Sequence, residues 1–125
     1  SSGLGLEISK ILLGSGNYSV IGLDVNETEI QSKNFHFIKS DLSDRSSVNQ
    51  LVEEIGKLSG NSLYGIVNVA GISVGKSIVG MNEEDWDLQV NVNLKSVFLV
   101  LRKIIPIMKK LNPKNHLIKF INLVI

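Results

Sequence analysis

Two glycines one residue apart, Gly3 and Gly5 in the run Ser1-Ser2-Gly3-Leu4-Gly5, open an amphipathic stretch that reaches Gly16. Glycines at a helix start let the backbone turn tightly and bring its N–H groups to an anion, which the positive end of the helix dipole favours. A phosphate fits that description. Taken alone, the pair fits a plain turn equally well. Asp24 lies about twenty residues further on, where a carboxylate can accept hydrogen bonds from a ribose diol and would repel a 2′-phosphate. No Lys or Arg follows Asp24 until Lys33, which favours NAD over NADP as the guest. The plainer reading of Asp24 is an aspartate that turns the chain before Asn26.

Three more groups stand where a ligand could be met. Asp41-Leu42 offers a carboxylate to an adenine amino group, or is simply a polar loop before a helix cap at Asp44. Asn68-Val69-Ala70-Gly71 has small residues that let the backbone pass close to a ligand, and an amide that can tie neighbouring strand ends together. Asn93 falls in Val92-Asn93-Leu94, among Trp86, Val90, Val97 and Phe98. A buried Asn there must find partners, because an unpaired one costs roughly 1–3 kcal/mol. Bonding to nearby backbone would satisfy it without any chemistry.

The elements that must position these residues alternate between strand and helix. Leu6, Ile8, Ile11, Leu12 and Leu13 share one helix face, with Gly14 and Gly16 as its stop. Ser19 to Leu23 and Phe35 to Ile38 are short apolar runs, as expected of parallel strands covered on both sides. Asp44 caps a helix carried by Val48, Leu51, Val52, Ile55 and Leu58 towards Gly60. Leu63 to Val69 forms another strand. Asn82 caps a long helix, with Glu83, Glu84 and Asp85 in its first turn, that runs towards Asn112 with a kink expected at Pro106. Leu117 to Ile125 is a last strand. The pattern predicts an α/β fold with a doubly wound parallel sheet.

Composition agrees with this. The 125 residues carry a net charge of +1 and no cysteine, which excludes a disulfide framework and a thiolate site and gives no basic face for nucleic acid. The longest apolar stretch, Val97 to Met108, contains Arg102 and Lys103 and is too short to span a bilayer. A soluble, cytoplasmic protein of one domain is expected, although the chain starts without Met, so that a targeting segment would be invisible.

In order and spacing these residues resemble the short-chain dehydrogenase/reductase family. Ser1-Ser2-Gly3-Leu4-Gly5 looks like the end of that family's Thr-Gly-x-x-x-Gly-x-Gly turn. Asp24 matches the acidic residue of its NAD-preferring members, and Asp41-Leu42 its adenine contact. Asn68-Val69-Ala70-Gly71 resembles the Asn-Asn-Ala-Gly motif, with Val69 replacing the second Asn. Asn93 falls on the family's catalytic Asn, followed by Pro106 and Met108, while Ser96 stands where Gly is common. The resemblance implies a Rossmann-type cofactor domain over residues 1–125, binding through Ser2, Gly3, Leu4, Gly5, Asp24, Asp41, Leu42, Asn68, Ala70 and Gly71. It also implies hydride transfer between NAD(H) and an alcohol or carbonyl substrate.

The resemblance covers only the first half of that fold. The family's first strand and first glycine precede Gly3, its catalytic Ser would fall near Ile125, and its Tyr-x-x-x-Lys pair lies further on. Neither Tyr18 nor Tyr64 has a Lys four residues later. The printed residues therefore cannot complete the reaction, in which the Tyr exchanges the proton. In a doubly wound sheet the strand before the glycine turn is central. Its absence would orphan two rows of backbone groups at roughly 1–3 kcal/mol each, which rivals the whole net stability of about 5–15 kcal/mol. The natural protein is expected to extend beyond both ends.

Other residues read as structural. His36 alternates with Phe35 and Phe37, and His116 has no second ligand at metal spacing, so no metal is expected. Glu83, Glu84 and Asp85 compensate a helix dipole, and Ser73 is a loop hydroxyl. The run Val97 to Leu101 is apolar all round its helix, which implies burial against the sheet and against a partner subunit, a pairing that the family resemblance also implies. Two alternatives stay open: a non-catalytic nucleotide-binding protein on the same fold, and an S-adenosylmethionine methyltransferase, in which Asn68 to Gly71 and Asn93 would have no role.

Overall fold

A computed structural model describes residues 3–59, 63–111 and 119–122. The expectations for Ser1, Ser2, Gly60, Asn112, His116 and the catalytic Ser position near Ile125 lie outside these residues. Among the described residues four strands and four α-helices follow one another in chain order: α1 (Gly3–Gly14), β1 (Val20–Asp24), β2 (Phe35–Lys39), α2 (Arg45–Leu58), β3 (Gly65–Asn68), α3 (Glu83–Val90), a π-helical turn (Asn91–Lys95), α4 (Ser96–Leu111) and β4 (Lys119–Asn122). Strand and helix fall where expected, except that the long helix after Asn82 is divided; the expected ends of the last strand lie outside the described residues. The first helix starts three residues earlier than its apolar period suggested, so both glycines lie within its opening turn.

The parallel strands form two pairs. β1 pairs with β2, Val20 opposite Phe35 through Asp24 opposite Lys39, and β3 pairs with β4, Gly65 opposite Lys119 through Asn68 opposite Asn122. Among the described residues β1 and β3 thus each have a strand neighbour on one edge only. The chain forms a partial doubly wound sheet. All five residues of β1 are half-buried, and β3 is no deeper. This departs from the full cover expected of parallel strands, because a sheet split into pairs gives a covering helix too little to pack on. Helix α1 accordingly buries no residue, and Ile11 is 71% exposed. At the amino ends of β1 and β3, the rings of Tyr18 and Tyr64 lie 6.0 Å apart between centroids.

The core lies where two helices meet β2. Val48, Leu51 and Ile55 of α2 share a face at helical spacing, as do Val100, Ile104 and Met108 of α4, and Ile38 of β2 closes the cluster. Helix α4 runs unbroken through Pro106. The single long helix expected from Asn82 is interrupted instead by the π-helical turn at Asn91–Lys95. There the Ser96 amide bonds Asn91 O, five residues back, and the buried Ser96 hydroxyl donates to Val92 O at 2.5 Å. The serine thus serves a carbonyl that an ordinary α-turn would satisfy through the amide. Trp86, Leu94 and Phe98 were expected around a buried Asn93, yet they are 55%, 67% and 57% exposed, and Asn93 is half-buried. They lie on the outer face of the helix, away from the core stripe. No helix among the described residues is long and apolar enough to cross a membrane.

Asp44 sets the start of α2. Its Oδ2 accepts from Ser47 N at 2.7 Å and from Ser47 Oγ at 2.8 Å, and these bonds hold its carboxyl below the ordinary value of 3.8. A depressed native value means that the stabilisation is complete above about pH 3.8 and is lost as pH falls through that lower native value. Asp44→Asn keeps a capping oxygen but cannot titrate. Denaturant midpoints followed below pH 4 should therefore fall less steeply with acid in Asp44→Asn than in the parent.

Candidate functional site

The carboxyl ends of β1, β2 and β3 form one edge. Asp24 closes β1, and its carbonyl accepts from Ser40 N at 3.0 Å, so that Asp41, the next residue, sits at the adjacent strand end. Helix α1 runs back along β1 and brings its first turn to this same edge. A Cβ placed on Gly5 would lie 3.2 Å from Val69 Cγ2, which puts that turn hard against the residue following β3. Only glycine permits so close a helix–strand approach without displacement. Gly3 has φ +68°, in the left-handed region, and nothing lies within 4 Å of the position its Cβ would take. Gly3, Leu4, Gly5, Asp24, Asp41, Ala70 and Gly71 therefore come to one rim, although they are spread over most of the chain.

Both aspartates shape their own loops. Asp24 Oδ1 accepts from Asn26 N at 3.0 Å, and Asp41 Oδ1 accepts from Ser43 N at 2.8 Å and from Ser43 Oγ at 2.6 Å. The turn-forming role open to Asp24 and the polar-loop role open to Asp41 in the sequence are thus realised. Leu42 packs, partly buried, against the α2–α4 core. Asn68 was expected to tie strand ends together; its Nδ2 is buried with no hydrogen-bond partner among the described residues. Lys10 reaches Glu7 at 3.2 Å and Glu29 at 3.3 Å, linking α1 to the loop after β1, and both carboxylates raise its pKa.

Past Gly71 the chain is held from one helix face. Asn93 Oδ1 accepts from Ile72 N at 2.8 Å, and Asn93 Nδ2 donates to Ile72 O at 2.9 Å, so the amide is satisfied at both ends by one residue's backbone. Gln89 Oε1 accepts from Val74 N at 3.3 Å, and Lys76 Nζ pairs with the Asp85 carboxylate. That contact, assisted by Asn82, holds the Asp85 carboxyl below its ordinary value. The sequence offered Asp85 only as compensation for a helix dipole and did not single out Gln89 or Lys76. The recurrence of polar side chains at 85, 89 and 93, every fourth residue, was the available signal. Among the described residues no group of three or more His, Cys, Asp or Glu could hold a metal ion.

Comparison with known proteins agrees with this arrangement. A family model described as short chain dehydrogenase matches residues 1–119. The short chain dehydrogenase ausX of Emericella nidulans is 28% identical over 113 residues, covering 87% of this chain and 57% of that protein. The 3-oxoacyl-acyl-carrier-protein reductase FabG of Thermotoga maritima is 41% identical over 69 residues, 55% of this chain and 28% of that one. A solved structure, that of a putative 3-oxoacyl-reductase from Bacillus thuringiensis, superposes with a TM-score of 0.78 at 27% identity, covering 89% of this chain and 49% of that one. The chain thus spans about half the length of the ausX relative and of the Bacillus structure. With the glycine turn, the strand-end acids and the Asn68 to Gly71 stretch on one edge, and with the family model matched over residues 1–119, the chain belongs to the short-chain dehydrogenase family.

Proposed function

We propose that this chain forms the cofactor-binding part of an oxidoreductase that moves a hydride between NAD(H) and an alcohol or carbonyl substrate. One observation carries the reading: the glycine turn, two strand-end carboxylates and a small-residue strand end share a single rim. The family binds nicotinamide dinucleotides, and the residues here fit one. Gly3 leaves open space beside the positive end of α1, suited to a diphosphate, and the tight Gly5–Val69 contact keeps that turn next to β3. In this reading Ser2, Gly3, Leu4 and Gly5 hold the diphosphate and Asp24 the adenosine ribose. Asp41 and Leu42 border the adenine, while Asn68, Ala70 and Gly71 let the other half pass over β3.

The preference for NAD over NADP rests on the carboxylate of Asp24 and on the engagement of Lys39 by a glutamate. Lys39, opposite Asp24 in the sheet, reaches Glu27 at 3.5 Å. When bound, the nicotinamide ring gives or takes the hydride. Asn93, whose side chain holds Ile72, is a positioning residue in this reading. The proton-exchanging Tyr and its Lys belong to the family resemblance and have no counterpart among the 125 residues.

We also propose that the outer face of α4 pairs with a second copy of the chain. Leu94, Phe98, Leu101 and Ile105 recur at intervals of four and three residues, the spacing of a helix–helix seam, and Phe98 carries Arg102 over its ring at 5.9 Å. Such a stripe is self-complementary about a two-fold axis.

Fluorescence titration of the intact protein with NADH, NADPH and S-adenosylmethionine tests the first reading. NADH should bind more tightly than NADPH and S-adenosylmethionine not at all, whereas tight methyl-donor binding without dinucleotide binding would overturn the assignment. For the second reading, Phe98→Glu should convert a dimer into a monomer in sedimentation analysis; a parent that is already monomeric at high concentration refutes it.

A further inference from the structure

The backbone beyond Gly71 has little of its own to fix it, since Ala70 and Gly71 are small and residues 71–77 form no regular element. What holds it is a ladder of three rungs. Asn93 takes Ile72, Gln89 takes Val74 and Asp85 takes Lys76, so that steps of four along the helix meet steps of two along the chain. The match is geometric. Four helical residues rise about 6 Å and two extended residues about 6.6 Å, so the rungs at Ile72 and Val74 stay in register, and the third is reached by the long Lys76 side chain. Gly75, at φ +67°, supplies the turn that returns Lys76 to the helix.

Gln89 is the middle rung and also the fastening at the far end. Its Nε2 lies 3.4 Å from Met81 Sδ and 3.5 Å from Asp85 O, so one amide touches the segment at Val74 and again just before the cap of α3. Outside this grip the chain stands in solvent, with Ile78 and Val79 77% and 93% exposed. The restraint therefore falls on the part that continues the rim. A dinucleotide entering over Asp24 and crossing the glycine turn would leave over Ala70 and Gly71 and come next to residues 72–76.

We propose that Gln89 is a positioning residue which, with the Asp85–Lys76 pair, holds residues 72–76 in place as the wall beside the nicotinamide half of the bound dinucleotide. The inference rests on the function proposed above. It separates the two halves of the ligand, because the ladder touches neither the Asp24 nor the Asp41 loop. Losing the middle rung should weaken contacts made by the nicotinamide half and spare those made by the adenosine half.

The test compares NADH with ADP, which lacks the nicotinamide half, on the intact protein and its Gln89→Leu and Gln89→Glu variants. Gln89→Glu keeps an oxygen acceptor for the Val74 amide. Gln89→Leu should weaken NADH about three- to tenfold, the value of one hydrogen bond, leave ADP unchanged and speed hydrogen exchange at the Val74 amide. Gln89→Glu, which keeps the acceptor for Val74 but loses the donor to Asp85 O and Met81 Sδ, should recover part of the NADH affinity and of the Val74 protection lost in Gln89→Leu. Equal NADH affinity in parent and Gln89→Leu overturns this inference alone, and so does a parallel loss of ADP binding, which would report general loosening. A parent that binds ADP but not NADH, or neither, overturns the proposed function and this inference with it.

Discussion

Parallel strand pairing is the constraint on which the rest of this structure depends. Because β1 and β2 run in register from Val20 to Asp24, the loops that follow them open side by side, and Asp24 and Asp41 become neighbours without any contact between their side chains being needed. The short connection from α1 into β1 then brings the glycine turn to the same edge, and the Gly5–Val69 contact adds the end of β3. No loop is asked to fold against its own preference to make the rim. This is the ordinary economy of open α/β sheets, in which ligands sit where strands stop.

The same constraint accounts for what is weakly held. Strands β1 and β3 each pair on one edge among the described residues, and the consequence shows in every layer above them: half-buried strand residues, a first helix with no buried side chain, and an Asn68 amide nitrogen with no partner. The well-packed part lies elsewhere, where α2 and α4 close over Ile38. The helix face that builds this core also contributes to the rim, for the inner stripe of α4 continues, past the π-helical turn, into the rungs at Asn93, Gln89 and Asp85. An extra residue in a helix rotates everything beyond it. Here the rotation lets α4 bury Val100, Ile104 and Met108 while α3 and the π-helical turn hold the loop after Gly71.

Much of this was legible in the sequence. Alternating apolar runs and helical periods located each strand and each helical stretch, though not the division of the long one, because burial periodicity survives even in half-covered strands. The glycine pair, the two aspartates and the Asn68 to Gly71 stretch identified the rim, since each sits directly after a strand or before a helix. What the sequence hid was partnership. Asp85 reads as a dipole counter-charge until Lys76 is seen beside it, and the fourfold spacing of Asp85, Gln89 and Asn93 has no meaning until Val74 is known to pass in front of Gln89. The π-helical turn was equally hidden: Val92-Asn93-Leu94 has the composition of ordinary helix, and the Ser96 amide on Asn91 O, with its hydroxyl on Val92 O, marks the place where the winding changes. Exposure on the outer face of α4 was misjudged for the same reason, as apolar character alone does not say which neighbour covers it.

The most direct measurement of the central claim is a map of backbone amide shifts on adding NADH to the intact, isotopically labelled protein. The account predicts perturbations confined to the rim, at Gly3 to Gly5, at the turns after Asp24 and Asp41, and at Ala70 to Ile72. Saturable binding that leaves the Gly3 and Asp24 amides unmoved, with its shifts clustered on another surface, would contradict it.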